Sequence, residues 1–395
     1  MLARDVIEAL RSRGHVVYVL TGRGRDLPKD GFTHGVLNLD LDRREESFLG
    51  GKTPTPLDIC RWHLYNPKSH LAVRRTLREL RPDLVVVWNL YMASMAPLLA
   101  ARQAGFPLVI HVADKWLLYG LKDVAPLVWP SLKWKQAVVR FARSVVQPLL
   151  FRLARPGPII AISDFMRRVY LNAGFPRNIE AIHLGVPIKM FSPNGGKPPA
   201  REEIRFLYVG ALWEGKGPQV AVKALGQLVQ QSPIPPVSLD IYGHGTSGFM
   251  EYLQEIVKQN KIGGHVTFHG FVQRERLAHV YRTHDVLLFP SIWDEPFAAV
   301  PVEAMVSGMP VIATTAGGTP EAVSDGETGL LVPPADPAAM ARCMARLASD
   351  SEFRRQLGRN AAQCARERWD FQTYIDRLEK RYHEIAMIGG PAQAD

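Results

Sequence analysis

The sequence has few cysteines and no long apolar run. Only Cys60, Cys343 and Cys364 occur among its 395 residues, far apart in the chain. This spacing is not that of a disulfide framework or a zinc site, and it favours a reducing, cytoplasmic compartment. No run of about 18 uncharged apolar residues is present, and the charged N-terminus lacks the apolar region of a signal peptide. We therefore expect neither secretion nor a membrane-spanning helix.

Acidic residues are the minority charge, since 48 Lys and Arg against 38 Asp and Glu give a net charge of +10. A basic balance suits nucleic acid, an anionic lipid surface or a phosphorylated substrate. Acid is absent from 131–155, where six basic residues are interleaved with large apolar ones. This stretch predicts either a helix peripheral to an anionic membrane or the solvated face of a packed helix. No RRM or KH signature occurs, so no nucleic-acid partner is expected.

Short β-branched runs alternate with longer amphipathic ones along both halves of the chain. The predicted strands are 15–22, 83–89, 107–114, 204–210, 237–243, 265–270, 285–291 and 310–315. Continuous apolar strands between helices indicate parallel sheets covered on both faces. The fold class is therefore α/β, with two doubly wound, Rossmann-like parallel-sheet domains.

The domain boundary is predicted at the Pro- and Gly-rich stretch 192–203, which lacks periodicity. We expect an N-terminal domain at 1–194, a second at 195–370, and a C-terminal helix at 371–395 that packs back on the first domain. The chain begins inside what looks like a helix, whereas a doubly wound domain begins with its central strand. The first strand of the N-terminal domain is therefore expected to be missing, and the chain is expected to be a fragment unless its start is misassigned.

Two motifs suggest other classes of protein. Gly243, Gly245 and Gly248 form a G-x-G-x-x-G between a strand and a helix, which is typical of either a dinucleotide site or a tight turn. A dinucleotide site needs an acid about 20 residues on, and that strand ends instead at His269. Asp40 and Asp42 form a D-x-D that could hold a divalent ion, or could be two acids in a solvated loop.

Two carboxylates lie on either side of the start of a predicted helix that begins near Ala298 and ends before Gly308. The helix dipole explains an acid at position 295, before the first turn, but it does not explain Glu303 on the apolar helix face. First-turn amides donate hydrogen bonds to phosphate oxygens, while carboxylates accept hydrogen bonds from sugar hydroxyls. Glu295 and Glu303 therefore predict a site for a ligand that carries both groups.

Further candidates follow neighbouring strands. Gly210 permits close backbone approach at the end of one strand, and Lys216, between two glycines, can reach a diphosphate. Gly317 and Gly318 precede a third helix, for which Thr319 is the predicted N-cap. Ligands of open α/β sheets bind at this carboxyl edge of the strands.

Together these residues resemble the retaining nucleotide-sugar glycosyltransferases of family 4. The segment 295–336, EPFAAVPVEAMVSGMPVIATTAGGTPEAVSDGETGLLVPPAD, is similar to the family's E-x7-E region, and weaker likeness covers nearly the whole chain. The resemblance implies a GT-B fold, in which two Rossmann-like domains face each other across a cleft. It also implies transfer of a hexose with retained configuration and no need for a metal or other cofactor.

Specific roles are also implied by the resemblance. Glu295, Lys216 and Asp114 would be catalytic, with Glu295 facing the donor sugar and Lys216 gripping the diphosphate. Glu303 would bind the ribose and Val272 the base. The donor-binding residues would be Gly210, Lys216, Val272, Glu295, Phe297, Ala298, Ala299, Val300 and Glu303.

The sequence departs from the family pattern at three places. Ala211 replaces a frequent arginine and Ala113 a frequent histidine, while His111 lies two residues away on the same strand. The missing first strand is where the family carries a glycine-rich loop that meets the acceptor.

We therefore expect a cytoplasmic glycosyltransferase, peripheral to the inner membrane face if 131–155 binds lipid. It would act on a nucleotide-sugar donor and a polysaccharide or lipid-linked acceptor. The alternatives are a nucleotide-sugar epimerase or hydrolase, an NAD(P)-dependent oxidoreductase, and a donor-binding fragment without activity.

Overall fold

The computed structural model describes residues 2–23, 30–40, 65–90, 94–118, 149, 157–192, 202–230 and 234–389. The chain divides into two compact units. The first consists of Met1–Ile162, Met166–Ile182 and Ile375–Asp395, and the second of Ser163–Phe165 and His183–Tyr374. The second unit thus begins earlier in the chain than position 195.

The first unit contains parallel strands in two groups. β1 pairs with β2, and a four-stranded sheet has the order β3-β4-β5-β6. Within the described residues, no strand joins the two groups by hydrogen bonds. Its strands are β1 (Val19–Arg23), β2 (Thr33–Asp40), β3 (Val85–Val87), β4 (Leu108–Val112), β5 (Ile159–Ala161) and β6 (Ile179–Ala181), and its helices are α1 (Leu2–Ser12), α2 (Pro67–Leu80), α3 (Ala96–Gln103) and most of α4 (Asp164–Asn172).

Local signals in the sequence start and stop these helices. Asn66 caps α2 by accepting a hydrogen bond from the Ser69 amide, and Pro67 occupies its first turn, where its missing N–H costs nothing. The C-terminal helix of the chain belongs to this unit from Ile375 onward. Its Glu379 accepts hydrogen bonds from Arg13 at 2.6 Å and pairs with His15 at 2.6 Å.

The second unit is built on a six-stranded parallel sheet with the order β12-β11-β10-β7-β8-β9. The order reverses beside β7, as in a doubly wound fold. The strands are β7 (Ile204–Val209), β8 (Val237–Tyr242), β9 (Val266–Gly270), β10 (Val286–Phe289), β11 (Val311–Thr314) and β12 (Gly329–Val332), and the helices are α5 (Ile188–Phe191), α6 (Pro218–Val229), α7 (Ser247–Gln259), α8 (Arg274–Arg282), α9 (Ala299–Val306), α10 (Thr319–Ala322), α11 (Pro337–Ser349), α12 (Ser351–Arg368) and α13 (Phe371–Gly389, whose residues from Ile375 belong to the first unit).

The core of the second unit explains why its strands carry apolar residues on both faces. Phe206 and Leu239 are fully buried on neighbouring strands and join one cluster with Leu225 of α6 and Met344 of α11. Burying a side chain of this size contributes about 1.5–3 kcal/mol. The predicted α/β class with two Rossmann-like parallel sheets is confirmed.

Two sequence expectations fall on other parts of the chain. The basic stretch 131–155, except Leu149, lies outside the described residues, as do Asp42 and the side chain of Asp40. In the described part of the chain, no helix is both long and apolar enough to cross a lipid bilayer.

Candidate active site

Lys216 and Glu295 form a direct ion pair in the second unit. The Lys216 ammonium lies 2.8 Å and 2.9 Å from the two oxygens of Glu295. The Glu295 carboxylate is buried, with 6% of its side chain exposed, whereas 29% of the Lys216 side chain is exposed. A buried carboxylate needs such partners, because an unpaired one costs several kcal/mol. The structure therefore brings together two of the predicted catalytic residues, and Lys216 is the one that solvent reaches.

The loop that carries Lys216 is tightly fixed. The Gly215 carbonyl accepts hydrogen bonds from the amides of Ile292 and Trp293, both at 2.8 Å. Gly217 has φ +72°, and a Cβ there would lie 1.9 Å from the Pro290 carbonyl oxygen. Only glycine fits at this position, because the conformation is left-handed and the neighbour is backbone. The loop after β7 is thus held against the loop after β10.

The backbone around Glu295 is clamped by the loop after β11. Its carbonyl accepts a hydrogen bond from the Gly318 amide at 2.7 Å. Gly317 has φ +61°, and a Cβ there would lie 2.3 Å from the Glu295 amide. The helix that follows begins one residue earlier than predicted, since Gly318 is its N-cap and Thr319 its first residue. The two glycines therefore serve close packing against position 295.

Glu303 lies on α9 as predicted and is buried, with 7% exposed. Tyr281 of α8 donates its hydroxyl hydrogen to Glu303 Oε2 at 3.0 Å. The Arg274 guanidinium lies 3.9 Å from Glu303 Oε1. Burial raises the pKa of Tyr281 well above its usual value, and the nearby negative charge of Glu303 raises it further. The phenol is therefore a permanent donor to this carboxylate.

The start of α9 offers few amides: the Ala299 amide donates to the Phe297 carbonyl at 3.1 Å, and Pro301 has no N–H. Ala298 is the N-cap and no side chain caps the helix. First-turn amides have no partner inside their own helix, so the Val300 amide is the one here that can bind a phosphate oxygen. Phe297 and Ala298 are buried, whereas Ala299 and Val300 are partly exposed.

Gly210 directly follows β7, and its amide donates to the Tyr242 carbonyl at 3.0 Å. The neighbouring Ala211 accepts a hydrogen bond through its carbonyl from the Tyr208 hydroxyl at 2.9 Å. Burial raises the pKa of Tyr208, and the charge of Glu295 adds to the increase. Gly210 therefore lies beside Tyr208, which is close enough to Glu295 to feel its charge.

Val272 lines a cavity of about 600 Å³ between the ends of β8 and β9 and one flank of α8. Its other lining residues are Tyr242, His269, Phe271, Gln273, Arg276, His279 and Val280.

Asp240 contacts one of these lining residues. It accepts hydrogen bonds from His269 and His284, both at 2.8 Å, and from Arg205 at 2.5 Å. Burial would raise the pKa of Asp240, but these three donors outweigh it and hold that pKa well below its usual range.

The G-x-G-x-x-G glycines approach the protein's own chain. A Cβ at Gly243 would lie 1.8 Å from the Gly210 carbonyl oxygen, and one at Gly245 would lie 2.1 Å from that of Leu212. The first two glycines thus permit contact between neighbouring loops. This geometry favours the tight-turn interpretation of the motif.

Asp114 belongs to the first unit and follows β4. Its carboxylate accepts a hydrogen bond from the Trp116 amide at 2.7 Å and another from the Asn89 side chain at 3.2 Å. Burial raises the pKa of Asp114. His111, on the same strand, is completely buried against the Trp88 ring, and burial lowers its pKa to about 3. Its imidazole is therefore neutral at physiological pH.

Asp164, His183 and Glu321 bring three potential metal ligands within 4.8 Å of one another. In this structure Glu321 instead accepts hydrogen bonds from the Asp164 amide at 2.9 Å, from the Phe165 amide and from His183 at 3.1 Å. Burial would raise the pKa of Glu321, but these donors lower it. The carboxylate therefore stabilises the start of α4.

Sequence reasoning missed three residues of this region. Ser291 donates a hydrogen bond to Glu295 Oε1 at 2.6 Å, while Tyr281 and Arg274 face Glu303. Arg274 and Tyr281 are seven positions apart on one helix, so their common face was visible in the sequence. Ser291 has no comparable pattern, because its partner lies across a loop.

Both halves of the chain match models of glycosyltransferase families. Residues 1–189 match the model of Glycosyltransferase Family 4, and residues 195–364 match that of Glycosyl transferases group 1. Each half of the chain is therefore similar to a glycosyltransferase family, which supports the predicted family.

Curated relatives include proteins named as glycosyltransferases. The chain is 32% identical over 235 residues to the D-inositol 3-phosphate glycosyltransferase of Corynebacterium efficiens, which is 56% of this chain and 55% of that protein. The chain spans about half the length of the curated relatives it matches.

Solved structures show the fold. Sucrose-phosphate synthase from Thermosynechococcus elongatus superposes with a TM-score of 0.72 at 22% identity, over 98% of this chain and 93% of that one. Anabaena HepE in complex with UDP superposes with a TM-score of 0.64 at 22% identity, over 80% of this chain and 82% of that one. The fold is the GT-B type that the resemblance implied.

Proposed function

We propose that this glycosyltransferase moves a hexose from a nucleotide-sugar donor to a polysaccharide or lipid-linked acceptor, with retained anomeric configuration. The observation that carries the proposal is the buried Glu295 paired with the accessible Lys216 beside the start of α9. This arrangement combines the Lys216 cation, the start of a helix with the Val300 amide, and carboxylates at the carboxyl edge of one sheet. Sugar diphosphates carry the complementary groups.

In the proposed complex, the second unit binds the donor. Lys216 and the backbone of Ala298, Ala299 and Val300 contact the diphosphate, and Glu295 accepts hydrogen bonds from the sugar hydroxyls. Glu303 accepts from the ribose, and the base lies against Val272. A solved relative, Anabaena HepE, has been crystallised with UDP-glucose, which supports a nucleotide sugar as donor.

The proposed chemistry needs no protein nucleophile. As the bond between sugar and phosphate breaks, negative charge develops on the departing diphosphate, where Lys216 and the start of α9 stabilise it. The leaving phosphate takes the proton of the attacking acceptor hydroxyl on the same face of the sugar. The protein's contribution is positioning and charge stabilisation.

Binding of nucleoside diphosphates tests the site directly. Isothermal titration of UDP, GDP and ADP should give a measurable dissociation constant for at least one of them. We expect Lys216→Ala and Glu303→Ala to weaken it by about tenfold or more, because each removes a charge-assisted hydrogen bond. Lys223→Ala, an exposed lysine of the same unit, is the control. Unchanged affinity in both site variants would reject the site.

Product analysis tests the reaction. Incubation with nucleotide sugars, with and without glycan or glycolipid acceptors, separates transfer from hydrolysis and epimerisation. The coupling constant of the new anomeric proton reports retention or inversion. Transfer should continue in EDTA, and loss of transfer that Mg²⁺ or Mn²⁺ restores would contradict the metal-independent mechanism.

A further inference from the structure

We propose that Ser291 is a positioning residue, which holds the Glu295 carboxylate when Lys216 engages the donor diphosphate. This inference rests on the proposed function. It concerns a residue to which the donor-site resemblance assigns no role. It follows from how the hydrogen bonds to Glu295 are divided between Lys216 and Ser291.

Ser291 is itself fixed from two sides. It is 1% exposed and follows β10, and its carbonyl accepts a hydrogen bond from the Thr314 hydroxyl at 2.6 Å. Its own hydroxyl lies 2.6 Å from Glu295 Oε1, 3.2 Å from the Trp293 carbonyl and 3.3 Å from that of Gly215. A hydroxyl donates one hydrogen, and the shortest contact, to a charged acceptor, receives it.

Glu295 therefore has two side-chain donors of different kinds. Lys216 contacts both carboxylate oxygens and is partly exposed, so a phosphate can approach it from solvent. Ser291 contacts one oxygen from a fully buried position, so a ligand does not reach it. When a diphosphate draws Lys216 toward itself, the hydrogen bond from Ser291 remains.

The consequence is an energetic link between Ser291 and donor binding. A buried carboxylate that loses its cation is destabilised, and a retained hydrogen bond offsets part of that cost. Without the hydroxyl, Glu295 depends on Lys216 alone and competes more strongly with the diphosphate. Removal of Ser291 should therefore weaken diphosphate binding, although Ser291 does not touch the ligand.

A double-mutant cycle on the full chain tests this link. Isothermal titration of the nucleoside diphosphate that binds best compares the unsubstituted protein, Ser291→Ala, Glu295→Gln and the double variant. We expect Ser291→Ala to weaken affinity by about tenfold. In the Glu295→Gln background the same change should have little effect, because no carboxylate then competes for Lys216. Ser247→Ala, an exposed serine of the same unit, is the control.

Two further outcomes separate this mechanism from a structural defect. Ser291→Thr keeps the hydroxyl and should restore affinity relative to Ser291→Ala. An equal loss in both backgrounds, or no loss in either, would overturn the inference while leaving the proposed function intact.

If Ser291→Ala does not fold, Thr314→Val replaces it in the cycle. This change releases the Ser291 backbone and should show the same dependence on Glu295. No diphosphate binding by the unsubstituted protein would overturn the proposed function, and this inference with it.

Discussion

Tyr281 donates its hydroxyl hydrogen to Glu303 at 3.0 Å, and both residues are buried between α8 and α9. The phenol is completely buried and the carboxylate nearly so. Their hydrogen bond fixes one oxygen of Glu303 and orients the other. The orientation of the proposed ribose-binding carboxylate thus depends on a neighbouring helix.

Tyr281→Phe should therefore reduce both stability and nucleotide affinity. The change leaves Glu303 Oε2 without its phenolic donor, which costs about 1–3 kcal/mol of unfolding free energy. Urea unfolding measures the first effect and titration with a nucleoside diphosphate the second. Tyr252→Phe, at a tyrosine with 44% exposure on α7, is the matched control and should change neither. Stability that falls with unchanged affinity would show that Glu303 does not need this partner for binding.

Asp240 should make stability depend on pH. Its folded-state pKa is depressed, so its contribution is present above the unfolded-state value of about 3.9 and is lost as the pH falls below it. Asp240→Asn should lower the unfolding free energy at pH 7 by about 3–5 kcal/mol, since it leaves Arg205 and two histidines without their carboxylate. Urea unfolding of both proteins should be measured between about pH 3 and pH 7, a range that includes the unfolded-state pKa of about 3.9. The difference in their unfolding free energies should shrink at the acidic end. A difference that stays constant would contradict this account, and Glu251→Gln, an exposed acid of α7, is the control.

Gly217→Ala should disturb the Lys216 loop. Its positive φ costs an alanine about 1–2 kcal/mol, and the clash with the Pro290 carbonyl adds to that. We expect a lower melting temperature and weaker diphosphate binding. Gly248→Ala is the control, because a Cβ there meets nothing within 4 Å. If Gly248→Ala proves as harmful as Gly217→Ala, the explanation by local crowding is wrong.

Asp114→Asn should separate binding from turnover. Asp114 belongs to the first unit, so nucleoside diphosphate affinity in the second unit should not change. If Asp114 positions the reacting groups, the rate constant of transfer should fall at least about tenfold, as for a misplaced reactant. Steady-state kinetics together with titration checks both expectations. Asp83→Asn, at an exposed aspartate before β3, should have wild-type rates.

The α/β architecture was predictable because strands such as β10 and β11 are short, largely apolar runs that are buried along their whole length, as covering of both faces requires. β7 and β8 begin at their predicted residues, 204 and 237, and end one residue early. The start of α10 was misjudged by one residue. Thr319 is a good N-cap by type, but here Gly318 takes that position, bonded through its amide to Glu295. A tertiary contact prevailed over the local preference.

Within the site, the charged residues were predictable and their partners were not. Lys216 and Glu295 stood out because charges are rare among glycines and apolar residues. Ser291 is a single small polar residue after a strand. Because neither Ser291 nor Glu295 lies on a helix, their spacing of four positions does not predict that their side chains meet. Such hydrogen bonds arise from loop packing, which periodicity does not encode.

The contribution of residues 163–165 to the second unit matters for anyone who would exchange donor specificities between relatives. The amides of Asp164 and Phe165 bond to Glu321 in that unit, although the surrounding sequence belongs to the other. A chimera joined at a single crossover near position 195 would combine Glu321 from one parent with helix α4 from the second. Chimeras that take residues 163–165 and Glu321 from the same parent should express better than chimeras that are joined only near position 195.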